Sequence, residues 1–150
     1  ANDFVGRKIL VDEGRAMRAL LEDMRTDAGR MADVEALESL AAQLNRGVDN
    51  LDEAVQWLIE HAPSDPQLPG AASVNLLMLA GIVVGGWHMG RAALIAGEDA
   101  AKSRYSAEFC AAKIATAEFY MAHVMPRAGA LKVAAISGSA PVMAIPVEAL

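Results

Sequence analysis

Apolar residues recur at alternating intervals of three and four positions along most of this chain of 150 residues. The pattern is unbroken over residues 34–62, and it is repeated over residues 10–31 and 110–135. This spacing keeps an apolar stripe on one side of an α-helix, where the stripe packs at a shallow angle against a neighbouring helix. Three such stripes in one short chain must bury one another, so the sequence predicts a helical bundle.

Capping residues and prolines divide the chain into four predicted helices, which run approximately over residues 5–30, 33–62, 67–100 and 104–137. Asp33 and Ser106 are placed to cap the second and fourth helices, and Gly138 to end the fourth. Pro126 lies inside the fourth apolar series, which continues past it, so we expect a kink there. Residues 138–150 are rich in apolar side chains, and we expect them to form an ordered tail that packs back along the bundle.

Composition agrees with this interpretation. Helix-forming residues far outnumber β-branched and aromatic ones, which argues against a β-sandwich or barrel. Hydrophobic residues make up 54% of the chain and charged ones 21%, so the chain is not disordered as a whole. We therefore predict one all-α domain over residues 1–150, a four-helix up-and-down bundle with an ordered carboxyl-terminal tail. The single cysteine, Cys110, excludes an internal disulfide and a cysteine-based zinc cluster.

The acidic excess of the chain is confined to one segment. The formal net charge is −6, and residues 31–65 contain eight acidic side chains but only one basic one, Arg46. No basic stripe interleaved with aromatic residues is present, so we expect no nucleic-acid partner. Its amphipathic helices and single cysteine indicate a soluble protein of the cytoplasm.

Residues 70–90, in the predicted third helix, contain no formally charged side chain. The stretch is long enough to cross a bilayer. However, Asn75 and His88 lie within it and the other predicted helices each have a polar side, so we expect a buried helix rather than a membrane span. A helix that is apolar on every side must also cover its outer face. The stretch therefore predicts an interface with another domain, a second copy or the tail.

Four residues are candidates for that interface. Val83, Trp87 and His88 belong to the uncharged stretch, and Trp57 lies off the apolar stripe of the second helix. Trp57 either covers one end of the bundle or meets a partner. The sequence does not decide which side of the third helix faces the bundle, because two stripes are equally apolar. One of them includes Met78 and His88, and the other includes Val83 and Trp87.

The sequence contains no combination of residues that is typical of a catalytic, metal-binding or phosphate-binding site. A di-iron bundle needs Glu-x-x-His pairs on facing helices, and no glutamate here is followed three positions later by histidine. His61, His88 and His123 lie on different predicted helices, and neither a His-Glu-x-x-His motif nor a glycine-rich phosphate loop is present. We therefore assign no catalytic, cofactor-binding or metal-binding residue to this chain.

Three segments carry motifs. Residues 115–126 read ATAEFYMAHVMP, residues 142–148 read VMAIPVE, and residues 3–8 read DFVGRK. They resemble, respectively, the A-x-F-Y-x-x-H-x-L-P helix, the closing V-M-A-L-P-E-E and the opening D-L-V-G-R-K of the C-terminal extension in one subgroup of acyl-CoA dehydrogenases. The three matches follow one another along this chain as they do in that extension. Met125 stands in place of the usual Leu, and Val147 interrupts the acidic pair. The resemblance covers nearly the whole chain.

This resemblance implies an accessory four-helix domain of a larger flavoenzyme. Members of the family remove hydrogens from the α and β carbons of an acyl-CoA thioester, using FAD and a catalytic glutamate that belong to upstream domains. No such residue is carried over to this chain, so FAD is expected in the parent enzyme only. The implied partners are the catalytic domains of the same polypeptide, and a homo-oligomer is possible. The alternative is a stand-alone helical module that binds another protein through the third helix.

Overall fold

The computed structural model of the chain describes residues 1–149, apart from the side chains of Ala100 and Val147. These residues form helices joined by turns and contain no β-strand, which confirms the predicted all-α class. The helices are α1 (Asn2–Val5), α2 (Arg15–Ala32), α3 (Glu38–His61), α4 (Leu68–Gly97), α5 (Asp99–Arg104), α6 (Ala107–His123), α7 (Arg127–Ala135) and α8 (Ala140–Met143). A π-helical segment, Gly6–Leu10, follows α1, and short 3₁₀ helices lie at Glu35–Leu37 and Val147–Ala149.

The segment predicted as one helix over residues 5–30 is interrupted before α2. Glu13 and Gly14 have φ angles of 55° and 75°, in the left-handed region that ends a right-handed helix. The carboxylate of Asp12 then accepts a hydrogen bond of 2.9 Å from the backbone N–H of Ala16 and caps the start of α2. Gly14 therefore forms a turn, although its spacing had placed it within the apolar stripe of a continuous helix.

The predicted cap at Asp33 is wrong. Asp33 follows the last residue of α2, and the residue that precedes the next 3₁₀ helix is Val34, which makes no side-chain capping bond. The chain passes through that 3₁₀ helix before α3 begins at Glu38. A side chain at position 33 is consequently too far from the first free N–H groups of α3 to cap them.

The predicted cap at Ser106 is confirmed, because its hydroxyl oxygen accepts a hydrogen bond of 3.2 Å from the backbone N–H of Phe109. Pro126 does more than the expected kink. Helix α6 ends at His123, and α7 begins only at Arg127. Proline lacks the N–H that the α-helix requires and its ring crowds the preceding turn, which accounts for the interruption.

Helix α4 is the central element of the bundle. It packs against α1, α2, α3, α6 and α7. Its inner side is buried, including Leu76, Leu79 and Val83. The stripe with Val83 therefore faces the bundle, and the competing stripe with Met78 and His88 faces outward. Periodicity could not choose between them, because both stripes are apolar.

A hydrogen bond at Ser139 joins the described part of the tail to the rest of the chain. The Ser139 hydroxyl donates a hydrogen bond of 2.6 Å to a carboxylate oxygen of Asp65, in the connection between α3 and α4. This bond also holds the pKa of the Asp65 carboxyl below its usual value. Beyond it, Val142, Met143 and Ile145 are all more than half exposed. The expectation that apolar tail residues pack along the bundle is therefore wrong for these three side chains.

Candidate functional site

The described residues contain no group of three or more His, Cys, Asp or Glu side chains that could hold a metal ion. The three histidines are separate: His61 stacks on Trp57, His88 on Trp87, and His123 lies beside Phe119. Because these are ring contacts between residues close in sequence, they stabilise local helical geometry rather than assemble a reactive centre.

The most distinctive surface is the outer side of α4, which we call the outer stripe. Its exposed members are Val74, Leu77, Met78, Gly81, His88 and Ile95. Met78 is 54% exposed, and Val74 and Ile95 are similarly open. From Val74 to Ile95 the stripe is about 30 Å long at the rise of an α-helix. Its exposed apolar side chains lie at Val74, Leu77 and Met78 near one end and at Ile95 near the other, and exposed apolar area of this kind is typical of an interaction site.

The structure separates the four residues predicted to form an interface. His88 lies on the outer stripe and is exposed. Val83 is fully buried at 0% exposure, so its assignment to an interface is wrong, since it belongs to the core of the bundle itself. Trp57 is partly buried and packs against that core. The indole ring of Trp57 therefore contributes to the bundle while leaving one part open to solvent.

Trp87 is also partly buried, and its polar atom has a partner inside the chain. The indole Nε1–H donates a hydrogen bond of 2.8 Å to Asp27 on α2. The same carboxylate pairs with Arg91 at 3.4 Å and with Arg30 at 3.2 Å. Arg91 also lies 5.1 Å from the centre of the Trp87 ring, in cation–π geometry. Trp87 thus joins α4 to α2, a role that the sequence alone did not reveal.

Close packing on α4 depends on glycine. The Tyr120 ring lies against the backbone at Gly85, and its hydroxyl donates a hydrogen bond of 3.0 Å to the carbonyl oxygen of Ile82. Burial raises the pKa of the Tyr120 hydroxyl. By contrast, a side chain added at Gly81, on the outer stripe, would meet no other group within 4 Å. Gly85 therefore allows Tyr120 to pack closely against α4 inside the bundle, whereas Gly81 leaves the outer stripe flat.

A second surface feature adjoins the end of the outer stripe. It is a cavity of about 240 Å³, here called the α4–α6 groove, and it is lined by Ala92, Ile95, Ala96, Ala101, Tyr105, Phe109, Cys110 and Lys113. Cys110 is buried at its base, as the apolar series predicted. Tyr105 and Phe109 are four residues apart with ring centres 5.2 Å from each other. That spacing was a signal in the sequence which the periodicity analysis missed.

Two cations lie over the aromatic wall of this groove. The Arg104 guanidinium is 5.7 Å from the centre of the Tyr105 ring, and the Lys113 ammonium is 5.1 Å from that of Phe109. Within the part of the chain that the structure describes, neither forms an ion pair with a carboxylate. The groove is therefore lined mainly by apolar side chains, and two cations lie over its aromatic rings.

One helix, Leu68–Gly97, is long and apolar enough to cross a membrane, with a mean hydropathy of 1.8 over its most apolar window. This is weak evidence for a membrane span, because the core helix of a soluble protein passes the same test. Packing of α4 against the other helices of the bundle accounts for the composition of its buried side.

The fold and surface define a class: an all-α domain whose described residues hold no catalytic or metal constellation and whose central helix presents an uncharged outer stripe. Comparison with known proteins identifies the family. Residues 15–146 match the model of the family described as "Acetyl-CoA dehydrogenase C-terminal like". The chain belongs to this family, and the resemblance seen in the sequence motifs is confirmed.

A curated relative supports the same assignment. The chain is 36% identical over 126 residues to 3-methylmercaptopropionyl-CoA dehydrogenase of Ruegeria pomeroyi. The match includes 83% of this chain but only 21% of the relative, so the chain spans about one fifth of that enzyme's length. The similarity is thus to an accessory domain of an acyl-CoA dehydrogenase rather than to a whole enzyme.

Proposed function

We propose that this chain is a structural domain that covers part of the catalytic region of an acyl-CoA dehydrogenase with its outer stripe. The observation that carries the proposal is the exposure of Val74, Leu77, Met78 and Ile95 on α4, which leaves apolar area in water unless another surface covers it. Interfaces between domains of one polypeptide commonly bury several hundred Å² on each side. A stripe about 30 Å long can supply such a contact.

The chemistry would belong to the catalytic region. Enzymes of this family oxidise the bond between the α and β carbons of an acyl-CoA, with FAD as electron acceptor. The sequence of this chain contains no glycine-rich phosphate-binding loop. We therefore assign FAD to the catalytic region and no FAD ligand to this chain, and we place the whole enzyme in the cytoplasm.

Thiol labelling tests whether the outer stripe is covered. In a Cys110→Ala background, Met78→Cys is introduced both in this chain and in the full-length polypeptide that the source gene encodes. We expect the thiol at position 78 to react at least about tenfold more slowly in the full-length enzyme, because a covered side chain is shielded from the reagent. Ala42→Cys, at an exposed position on α3, is the matched control and should react equally in both.

Equal labelling of Met78→Cys in the two proteins would show that the catalytic region does not cover the stripe. A source gene without a catalytic region would contradict the proposal altogether. The stand-alone interaction module, which uses the same face of α4 for another protein, would then be the better interpretation.

A further inference from the structure

We propose that Met125 is an oxidation site, and that its conversion to the sulfoxide by hydrogen peroxide loosens the junction between α6 and α7. The inference goes beyond the proposed function and does not depend on it, because every group that it uses belongs to this chain. It joins two observations. The Met125 side chain fills the space beside two glycines, and it also forms part of the wall of a cavity that is open to solvent.

The side chain of Met125 packs the junction against two other helices. Met125 lies between His123, where α6 ends, and Arg127, where α7 begins. A carbon added at Gly47, on α3, would lie 2.5 Å from the Met125 sulfur, and one added at Gly86, on α4, would overlap the terminal methyl group of Met125. Because the methionine side chain is long and flexible, it can fill both spaces at once.

A cavity of about 320 Å³ lies between α3 and this junction. It is lined by Gln43, Arg46, Gly47, Asn50, Met121, Met125 and Pro126. The sulfur of Met125 is next to Gly47, which lines the cavity too, so the sulfur lies close to the cavity wall. A water molecule needs only about 10–15 Å³ of such space, and hydrogen peroxide is only one oxygen atom larger, so the oxidant can enter.

The reaction needs only the thioether and the peroxide. A lone pair on sulfur attacks one oxygen of hydrogen peroxide, the O–O bond breaks, and the proton of the transferred oxygen passes to the departing hydroxide to give water. Sulfur is oxidised by two electrons to the sulfoxide, and the peroxide is reduced. A flexible apolar side chain thereby becomes a polar one.

The sulfoxide does not fit the place that the thioether occupies. Beside Gly47 its oxygen would meet the backbone and the apolar side chain of Val83, and a polar atom without a hydrogen-bonding partner is costly there. On the cavity side, α3 offers hydrogen-bond donors at Gln43, Arg46 and Asn50. Turning toward them withdraws the methyl group from Gly86. Either way, the junction between α6 and α7 loses packing against α4.

Peroxide treatment of this chain, followed by peptide mass spectrometry, tests the site. The exposed Met78 and Met143 should be oxidised first, and Met125 should follow well before Met24, which is fully buried in the core. Tandem fragmentation distinguishes Met125 from Met121. As Met125 is oxidised, we expect the midpoint of thermal unfolding to fall by at least about 4 °C, because core packing is lost.

A time course on the original chain separates Met125 from the exposed methionines without any variant. The fall in the midpoint should follow the sulfoxide at Met125, and oxidation of Met78 and Met143 should be complete before most of the fall occurs. A midpoint that falls together with oxidation of Met78 and Met143, or oxidation of Met125 no faster than that of Met24, would overturn the proposal.

Leucine variants identify the sulfur that matters. Met125→Leu keeps an apolar side chain without sulfur, so peroxide should then lower its midpoint by less than about 1 °C. Met121→Leu is the matched control, because Met121 lines the same cavity, and this variant should lose as much stability on oxidation as the original chain. An equal loss in Met125→Leu, or protection by Met121→Leu alone, would contradict the assignment to Met125.

Discussion

The indole Nε1–H of Trp87 donates a hydrogen bond of 2.8 Å to the carboxylate of Asp27, which lies 60 positions earlier in the chain. This contact joins the central helix α4 to α2. Because Asp27 also pairs with Arg30 and Arg91, the indole is part of a charged cluster at the edge of the core. Trp87 is therefore expected to stabilise the bundle, even though its place in an uncharged helix indicated an interface.

Trp87→Phe tests this role. The substitution keeps an aromatic ring but removes the donor to Asp27, and bonds to charged groups typically contribute more than bonds between neutral ones. We expect the free energy of unfolding to fall by about 2 kcal/mol, measured by urea denaturation. Trp57→Phe is the matched control, since no hydrogen bond of the Trp57 indole is found among the described residues. Equal losses for the two variants would contradict the assigned role of Asp27.

Two glycines on α4 should respond in opposite ways to alanine. At Gly85, an added carbon would lie 3.1 Å from Cζ of Tyr120, so the ring and its hydrogen bond to Ile82 must shift. At Gly81 the added carbon meets nothing, and alanine is the better helix former by about 1 kcal/mol. We expect the Gly85→Ala chain to be less stable than the Gly81→Ala chain by about 2 kcal/mol. Thermal unfolding of the two variants side by side measures the difference, and equal stability would refute the close approach of Tyr120.

The Ser106 cap makes a prediction for the start of α6. Ser106→Ala removes the acceptor for the Phe109 N–H, and loss of such a cap typically costs about 1 kcal/mol. The unfolding free energy should fall by about that amount, whereas Ser106→Asp, which keeps an acceptor oxygen, should remain close to the original chain. Urea midpoints that are the same for serine and alanine would show that this cap contributes nothing in solution.

The anchor of the tail should depend on pH. The Ser139 hydroxyl lowers the pKa of Asp65 in the folded chain, so the unfolded chain binds the proton more readily. The bond therefore adds stability above the usual pKa of an aspartate, about 3.9, and this stability is lost as the pH falls through the lower folded value.

Ser139→Ala provides the measurement. We expect the original chain to be more stable than the variant at pH 6, and the gap to narrow as the pH falls below about 4. Thermal unfolding over a pH series measures this difference in stability between the original chain and the variant. Ser137→Ala, in the same turn, is the matched control. A gap that is independent of pH would show that Asp65 does not hold the tail as a carboxylate.

Much of the architecture could be predicted from local patterns. The alternation of three and four marked the apolar stripes of the helices that became α2, α3, α6 and α7, because helical spacing depends only on the chain itself. The cap at Ser106 was predictable for the same reason. Local patterns failed at Gly14 and Asp33, where a turn and a 3₁₀ helix displaced the expected helix starts.

The candidate site was only partly predictable. The uncharged third helix predicted an interface, which stays a prediction, and His88 lies exposed on the outer stripe. Val83 was misplaced because a helix apolar on all sides gives no directional signal, and only packing shows which side is inside. The α4–α6 groove was missed because it combines residues from α4, α5 and α6 that are distant in sequence.

The sequence by itself determined that this protein is helical, that it lacks the known motifs for metal or cofactor chemistry, and that it resembles the C-terminal domain of acyl-CoA dehydrogenases. These properties reside in spacing and in residue type, which act over a few turns of chain. Only the tertiary structure decided which side of α4 faces outward, that Trp87 is bound to Asp27, and that the apolar tail is left uncovered. Each of these depends on contacts between segments far apart in the chain, where packing of the whole bundle selects one arrangement among several with similar local patterns.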